Sequence, residues 1–353
     1  MINIQFFFSL LQGIFLLFYC VIIEIQKYFW NKFEVINAKR TSEIFRYKCK
    51  NYTKMTGWII IKNTDNIQPL EKYSLRRLYE TAISEGIAIQ ILSPNQFNTI
   101  VSINQEKRTF LGKEPVLPPD FLLSRMGSGI QYNGLSLLRH MQSLGIPVFN
   151  KPDSIEKVKD KLHSAQILLK AGLPFPCTML VTKQMDINFV QEKIGFPLVL
   201  KTISGSKGSG VILCHSKEQL ADFISFMNES HNDTGFILQQ FIADSHGRDI
   251  RVFVVGDKVL AAMQRTASDG SFKANYSRGG KTQAYPLTQT IIDLSMKIKS
   301  IFQLDICGID LLFNKDEYMI CEVNSCPGFE GLESCTNVNV AEEIIHYIKD
   351  KIK

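Results

Sequence analysis

No two of the eight cysteines form a CxxC pair, and Cys20, Cys49, Cys177, Cys214, Cys307, Cys321, Cys326 and Cys335 follow no regular spacing. A disulfide framework is thereby excluded; several of them lie inside apolar runs, like the small buried residues of a protein kept in a reducing compartment. Cys321, Cys326, Cys335 and His346 also lack the ligand spacing of a zinc site. The chain has no Walker loop, because Val211 follows Gly210 where Lys and then Ser or Thr would be needed, and it has no GxGxxG. The motif set of a protein kinase is missing as well. Charge of one sign is scarce outside a single segment. Net charge is +6, yet residues 24 to 54 alone hold eight Lys or Arg against three acids, so the rest is nearly neutral and argues against a nucleic-acid surface.

The 353 residues, 45% of them hydrophobic, suffice for two or three domains with their own cores. The run from Phe6 to Ile23 is uncharged and interrupted only by Ser9, Gln12 and Gly13, near the minimum length for crossing a bilayer. No Lys or Arg precedes it and no small-residue cleavage site follows, which is unlike a signal peptide. Tyr28, Phe29 and Trp30 then arrive with the basic segment, as at an interface facing the cytoplasm. The expectation is a single anchor helix with a basic linker over residues 1–54 and a cytoplasmic body; a buried or peripheral helix is the other reading.

From Met55 onward strands and helices alternate. Strands are expected at 58–61, 87–92 and 121–124 and helices at 75–85 and 135–144, the βαβ rhythm of a small parallel sheet, with Arg125 and Gly127 at a strand end where open sheets bind ligands. Asp153 and Glu156 resemble a capping pair opening a helix that continues through Lys161 to Ala171. A strand at 196–201 delivers Lys201 to the loop SGSKGSGV, where Gly205, Ser206, Gly208 and Gly210 let backbone amides approach a phosphate. Strands follow at 236–241, 250–255 and 258–265. Asp249, Arg251, Arg265, Lys273, Asn275 and Arg278 crowd charged and polar groups into and after that last pair, pointing to an anionic ligand.

The most informative stretch is ICGIDLLFNKDEYMICEVNSCPG, residues 306–328. Two apolar runs flank the turn formers Asn314, Lys315 and Asp316, the pattern of a hairpin. A turn centred on Asp316 places Asp310 opposite Glu322, with Asn324 on the same face. Two facing carboxylates repel unless a cation lies between them, and an all-oxygen set suits Mg²⁺ or Mn²⁺. An acidic solvent face on an ordinary hairpin is the alternative.

In order, the lysine strand, glycine loop, QQFI, GRDIRVFVVGDKV, RGG, GIDLL and CEVNSCPG resemble the RimK-like branch of the ATP-grasp ligases over nearly all of the body. The resemblance implies an α/β and α+β chain: a small N-terminal α/β domain (55–149), then two ATP-grasp lobes (150–238 and 239–353) that hold ATP between them. It further implies that Lys161 and Lys201 contact ATP phosphates, that Gln239, Gln240, Phe241 and Ile242 border the adenine, and that Asp249 binds the ribose. Lys273 and Asn275 stand where the family has Arg and Asn, Thr266 replaces the second Arg of a pair, and Gln240 replaces an acid. Asp310, Glu322 and Asn324 match the family's ligands for two Mg²⁺ or Mn²⁺ ions. The implied reaction has a carboxylate attack the γ-phosphate of ATP to give an acylphosphate that an amine, usually glutamate, displaces. Arg265 and Arg278 are the expected catalytic cations. The acceptor would be a protein tail or a small carboxylic acid; oligomeric state is left open. The alternatives are a ligase that joins a different amino acid and an inactive ATP-binding membrane scaffold.

Overall fold

The computed structural model describes residues 54–63, 69–102, 109–205, 210–229, 235–274, 276 and 279–352. The expected anchor and linker over residues 1–54 lie outside these apart from Lys54, as do Ser206, Gly208, Asn275 and Arg278. Among the described residues, no helix is long and apolar enough to cross a membrane.

The first sheet is parallel, in the order β2-β1-β6-β7, with β1 at Thr56–Ile60, β2 at Ala88–Leu92, β6 at Phe121–Ser124 and β7 at Val148–Phe149. Its two inner strands, β1 and β6, are buried almost throughout because both faces are covered, whereas β2 at the edge alternates. Helix α1 (Tyr73–Ser84) packs on one face through Leu75, Leu78 and Ala82, and α2 (Tyr132–Ser143) on the other through Leu135, Leu138 and Met141. A small antiparallel sheet of β3 (Phe97–Thr99), β4 (Thr109–Leu111) and β5 (Glu114–Val116) sits beside it, with Phe97 against the Trp58 ring.

Where one helix is expected through Ala171, the chain forms two, α3 (Pro152–Lys159) and α4 (Lys161–Lys170). The break is at Asp160, which is extended (φ −92°, ψ 113°) and whose carboxylate accepts from the His163 amide as the N-cap of α4. The Asp153–Glu156 capping pair does not form: Asp153 lies inside the first turn of α3, and Glu156 pairs with Arg139.

The second sheet is antiparallel, order β10-β9-β11-β8, from β8 (Thr178–Leu180), β9 (Leu198–Thr202), β10 (Val211–Cys214) and β11 (Phe236–Gln240). Helices α5 (Ile187–Lys193) and α6 (Lys217–Glu229) cover one face, where Leu198, Leu200 and Leu238 meet Val190 and Leu220. Strand alternation therefore turns Val199, Lys201 and Gln239 to the uncovered face.

The third sheet runs β14-β13-β12-β15-β16, with β12 at Arg248–Val255, β13 at Lys258–Thr266, β14 at Lys281–Tyr285, β15 at Ile306–Asn314 and β16 at Glu317–Asn324. Helix α7 (Gln289–Phe302), capped by the Thr288 hydroxyl, buries Ile291, Ile298 and Phe302 against Ile250, Val252 and Ile309. Each such fully buried side chain stabilises the fold by roughly 2 kcal/mol. The opposite face changes character along its length. Phe253, Val255, Met263 and Ile306 join the core of the first sheet, together with α8 (Glu330–Cys335) and α9 (Val340–Ile352), while Asp249, Arg251, Arg265 and Asp310 face a cleft. One strand, β12, thus supplies both an interdomain core and a charged wall.

Candidate active site

A cleft of about 890 Å³ is bounded by the uncovered face of the second sheet, the charged half of the third and the strand ends of the first. Its central feature is the β15–β16 hairpin. Asp310 stands directly opposite Glu322, and Gly308 opposite Asn324. The expected pairing is present, but its origin differs from a symmetric hairpin. The turn is the two residues Lys315 and Asp316, Lys315 taking the left-handed conformation (φ 53°), and it pairs Asn314 with Glu317. Continued regularly, that register would oppose Asp310 to Cys321. A β-bulge at Cys321 inserts one residue between the Leu311–Ile320 and Asp310–Glu322 pairs and brings Glu322 round to Asp310. Gly308 has no side chain for a reason: a Cβ there would come within 2.7 Å of Pro327, in the loop that closes over β15.

Asp310 is 4% exposed and held by two guanidiniums. Arg251, its neighbour across β12, donates from Nε and one terminal nitrogen at 2.7 and 2.6 Å, and Arg265 lies 3.0 Å away. Burial opposes the charge, but the two arginines outweigh it and hold the carboxyl at about 2. Arg265, 2% exposed, also donates twice to Asp249, at 2.6 and 2.7 Å. Asp249 shares that single guanidinium with Asp310, so for it burial dominates and the carboxyl is pushed up. Charges therefore alternate as Asp249, Arg265, Asp310, Arg251 across three strands.

Two lysines face this wall. Lys161 begins α4 because of the break at Asp160; its ammonium donates to the Gly205 carbonyl at 3.3 Å and lies 3.5 Å from Glu322. Lys201 donates to the buried Gln239 amide oxygen at 2.6 Å and approaches the Cys321 sulfur at 3.6 Å. Burial pushes the Cys321 thiol up, which keeps it protonated beside that ammonium.

Gln240, the last residue of β11, and Phe241 and Ile242 just past it line the cleft, with Phe241 edge-on to the His246 ring, and Lys273 lines its far side. Lys161, Lys201, Gly205, Gln239, Gln240, Phe241, Ile242, Asp249, Arg265, Lys273, Asp310, Glu322 and Asn324 thus share one cavity. Arg251, expected beside an anionic ligand with Asp249 and Arg265, lines the same cavity and instead braces Asp310; it lies two residues from Asp249 on one strand, hence on the same face. Arg125, at the end of β6, also lines the cleft and donates to the Pro327 carbonyl at 2.9 Å.

The donor set suits a hard cation. Asp310 and Glu322 supply carboxylate oxygens, and Asn324 holds its amide nitrogen buried without a partner, as expected if turning the amide aims its oxygen at an ion. Among the described residues no group of three or more His, Cys, Asp or Glu that could hold a metal ion converges.

A cleft between two antiparallel sheets, with lysines on one side and acids backed by arginines on the other, suits a phosphate-bearing ligand held together with a cation. Residues 158–348 match the RimK-like ATP-grasp domain model and residues 67–155 the RimK pre-ATP-grasp domain model. A probable alpha-L-glutamate ligase of Legionella pneumophila is 35% identical over 282 residues, covering 80% of this chain and 93% of its own. In fold the chain is similar to the ATP-grasp ligase PsnB, solved with a phosphomimetic variant of its minimal precursor, Mg and ADP (TM-score 0.65, 17% identity, 85% and 100% coverage). It is also similar to D-alanine–D-alanine ligase from Bacillus anthracis (TM-score 0.62, 18% identity, 84% and 97% coverage). The chain belongs to the RimK-like ATP-grasp ligases. It is an ADP-forming enzyme that joins a carboxylate to an amine, and the family works with ATP and a divalent cation such as Mg²⁺.

Proposed function

We propose that this chain adds L-glutamate to the carboxylate of a protein or small-molecule acceptor. The observation that carries this reading is the glutamate-ligase relative at 35% identity over four-fifths of the chain, joined to a complete acid ladder. In the proposed sequence of events the acceptor carboxylate attacks the γ-phosphorus of ATP, the bond to the bridging oxygen breaks, and ADP leaves. The glutamate amine then attacks the acyl carbon of the acylphosphate, an amide forms, and phosphate leaves with the acyl C–O bonding pair, while the amine's proton passes to solvent.

No side-chain nucleophile is required. Lys161 and Lys201 offset phosphate charge, and their loosely compensated ammonium groups suit that task. Asp310, Glu322 and Asn324 would hold one or two Mg²⁺ or Mn²⁺ ions, which when bound supply charge neutralisation and alignment of the triphosphate. Arg265 keeps Asp249 and Asp310 in place from beneath, and Arg251 backs Asp310 from the other side. Gln239 to Ile242 border the adenine, Asp249 the ribose, and Lys273 with Asn275 the far end of the nucleotide. Arg278 is assigned to the acyl phosphate, and Gly205, Ser206 and Gly208 to the phosphate cover. The proposed division is an N-terminal α/β domain over 55–149 and two lobes over 150–238 and 239–353.

The test is ADP release by the purified chain with ATP, Mg²⁺ and amino acids crossed with carboxylic acids. Release that needs glutamate together with one acid supports the reading; release with another amino acid instead refutes the glutamate assignment. The segment from Phe6 to Ile23 is proposed to anchor the chain with its body in the cytoplasm. Deletion of residues 1–54 is expected to shift the protein from the membrane pellet to the supernatant with ADP release unchanged; pelleting of the shortened form contradicts the anchor.

A further inference from the structure

We propose that Asn150 is a positioning residue for the cation site: it fixes the open end of the bulged hairpin and so keeps Glu322 and Asn324 beside Asp310. The proposal rests on the cation role given above to that face.

Strand β16 is an edge strand, hydrogen-bonded in the sheet only to β15. No second strand fixes its register, and a slip of one residue would remove the bulge and turn Glu322 and Asn324 to the opposite face. Two contacts flank the bulge. On the turn side the Ile320 amide donates to the Pro174 carbonyl at 2.9 Å. On the open side the work falls to Asn150, which follows β7 of the first sheet and is 1% exposed.

Its amide nitrogen donates to the carbonyls of Ile306 (2.7 Å), at the start of β15, and Ser325 (2.8 Å), the residue after Asn324. Its oxygen accepts from the Asp305 and Ile306 amides at 2.6 and 2.9 Å. All the hydrogen-bonding capacity of the side chain is used. A group that bonds both arms of a hairpin is satisfied in one register alone, because a one-residue slip moves the Ser325 carbonyl by about 3.3 Å. Asn150 thereby ties the ligand ladder to the frame of the first sheet.

The experiment compares Asn150→Ala, Asn150→Asp and Ser154→Ala in the full chain. Ser154 is an equally buried staple of the neighbouring helix, its hydroxyl donating to the Gln303 carbonyl at 2.8 Å and so to the end of α7 instead of the hairpin. Mn²⁺ binding is titrated by electron paramagnetic resonance without substrates, and the Mg²⁺ concentration for half-maximal ADP release is measured beside the melting temperature. Asn150→Ala is expected to weaken Mn²⁺ binding about tenfold and raise the Mg²⁺ requirement similarly, with kcat recovering at high Mg²⁺. Asn150→Asp, which keeps the acceptor and loses both donated bonds, should shift the same constants and serves if the alanine variant does not fold. Ser154→Ala should lower the melting temperature alone. Asn150 variants that melt earlier with unchanged Mn²⁺ binding would overturn the proposal. An unsubstituted chain that releases ADP yet binds no Mn²⁺ would instead sink the cation reading, and this proposal with it.

Discussion

The two sheets that wall the cleft handle charge in opposite ways. On the side of the second sheet, Lys201 of β9 rests on a neutral amide, and Lys161, at the start of α4, on a carbonyl and a carboxylate 3.5 Å away. On the third, Asp310 is gripped by two arginines at hydrogen-bond distance and Arg265 is itself buried between two acids. The first wall leaves positive charge available to an incoming phosphate, whereas the second is compensated and rigid. Catalytic groups that must release their partners belong on the first kind of wall, and groups that must not move belong on the second.

The sharpest way to break this contrast is Glu322→Gln. It removes a partly exposed carboxylate proposed as a cation ligand, so the fold should survive while ADP release falls by about a thousandfold or more; turnover at the original rate would remove Glu322 from the proposed cation site. Lys201→Met should follow, with roughly a hundredfold loss of kcat/KM for ATP and little change in stability, because the Gln239 left behind is neutral. Denaturant unfolding with a large loss of stability in that variant would show that the lysine is structural.

Arg251→Met is expected to do the reverse. Asp310 keeps only Arg265, and unfolding free energy should fall by about 3 kcal/mol, read from the denaturant midpoint. The smallest effect is in the pH dependence of stability. The unfolded Asp carboxyl titrates near 4 on average, while in the fold Asp310 is held at about 2. Its contribution is therefore complete above about pH 4 and lost as pH falls through about 2. In Arg251→Met the folded value rises toward the unfolded one, so the acid-unfolding midpoint should move up; an unmoved midpoint would mean that Arg251 does not stabilise the carboxylate.

Much of this architecture was legible in the residues because alternation carries it. Asp249, Arg251, Phe253 and Val255 at every second position of β12 mark a face that starts charged and ends apolar. The hairpin was legible too, but its asymmetry was not drawn from it. Ile320 and Val323, three apart yet both buried in the same core, require an extra residue between them, which is the bulge. The break at Asp160 is harder to foresee, since a helical pattern continues through it and only the His163 amide shows that the carboxylate caps a new helix. Helix α7 is announced by the Thr288 cap and the spacing of Ile291, Ile298 and Phe302. The strands of the side sheet, three residues each, are too short for any periodicity to show.

The central claim is chemical: the chain activates a carboxylate as its acylphosphate. With the acceptor that the ADP-release matrix identifies, labelled with ¹⁸O in its carboxylate, the decisive measurement is the mass of the phosphate released. One ¹⁸O atom transferred to phosphate for each amide formed is the expected result. Unlabelled phosphate released alongside amide would contradict the account, because the carboxylate oxygen would never have been bonded to the γ-phosphorus.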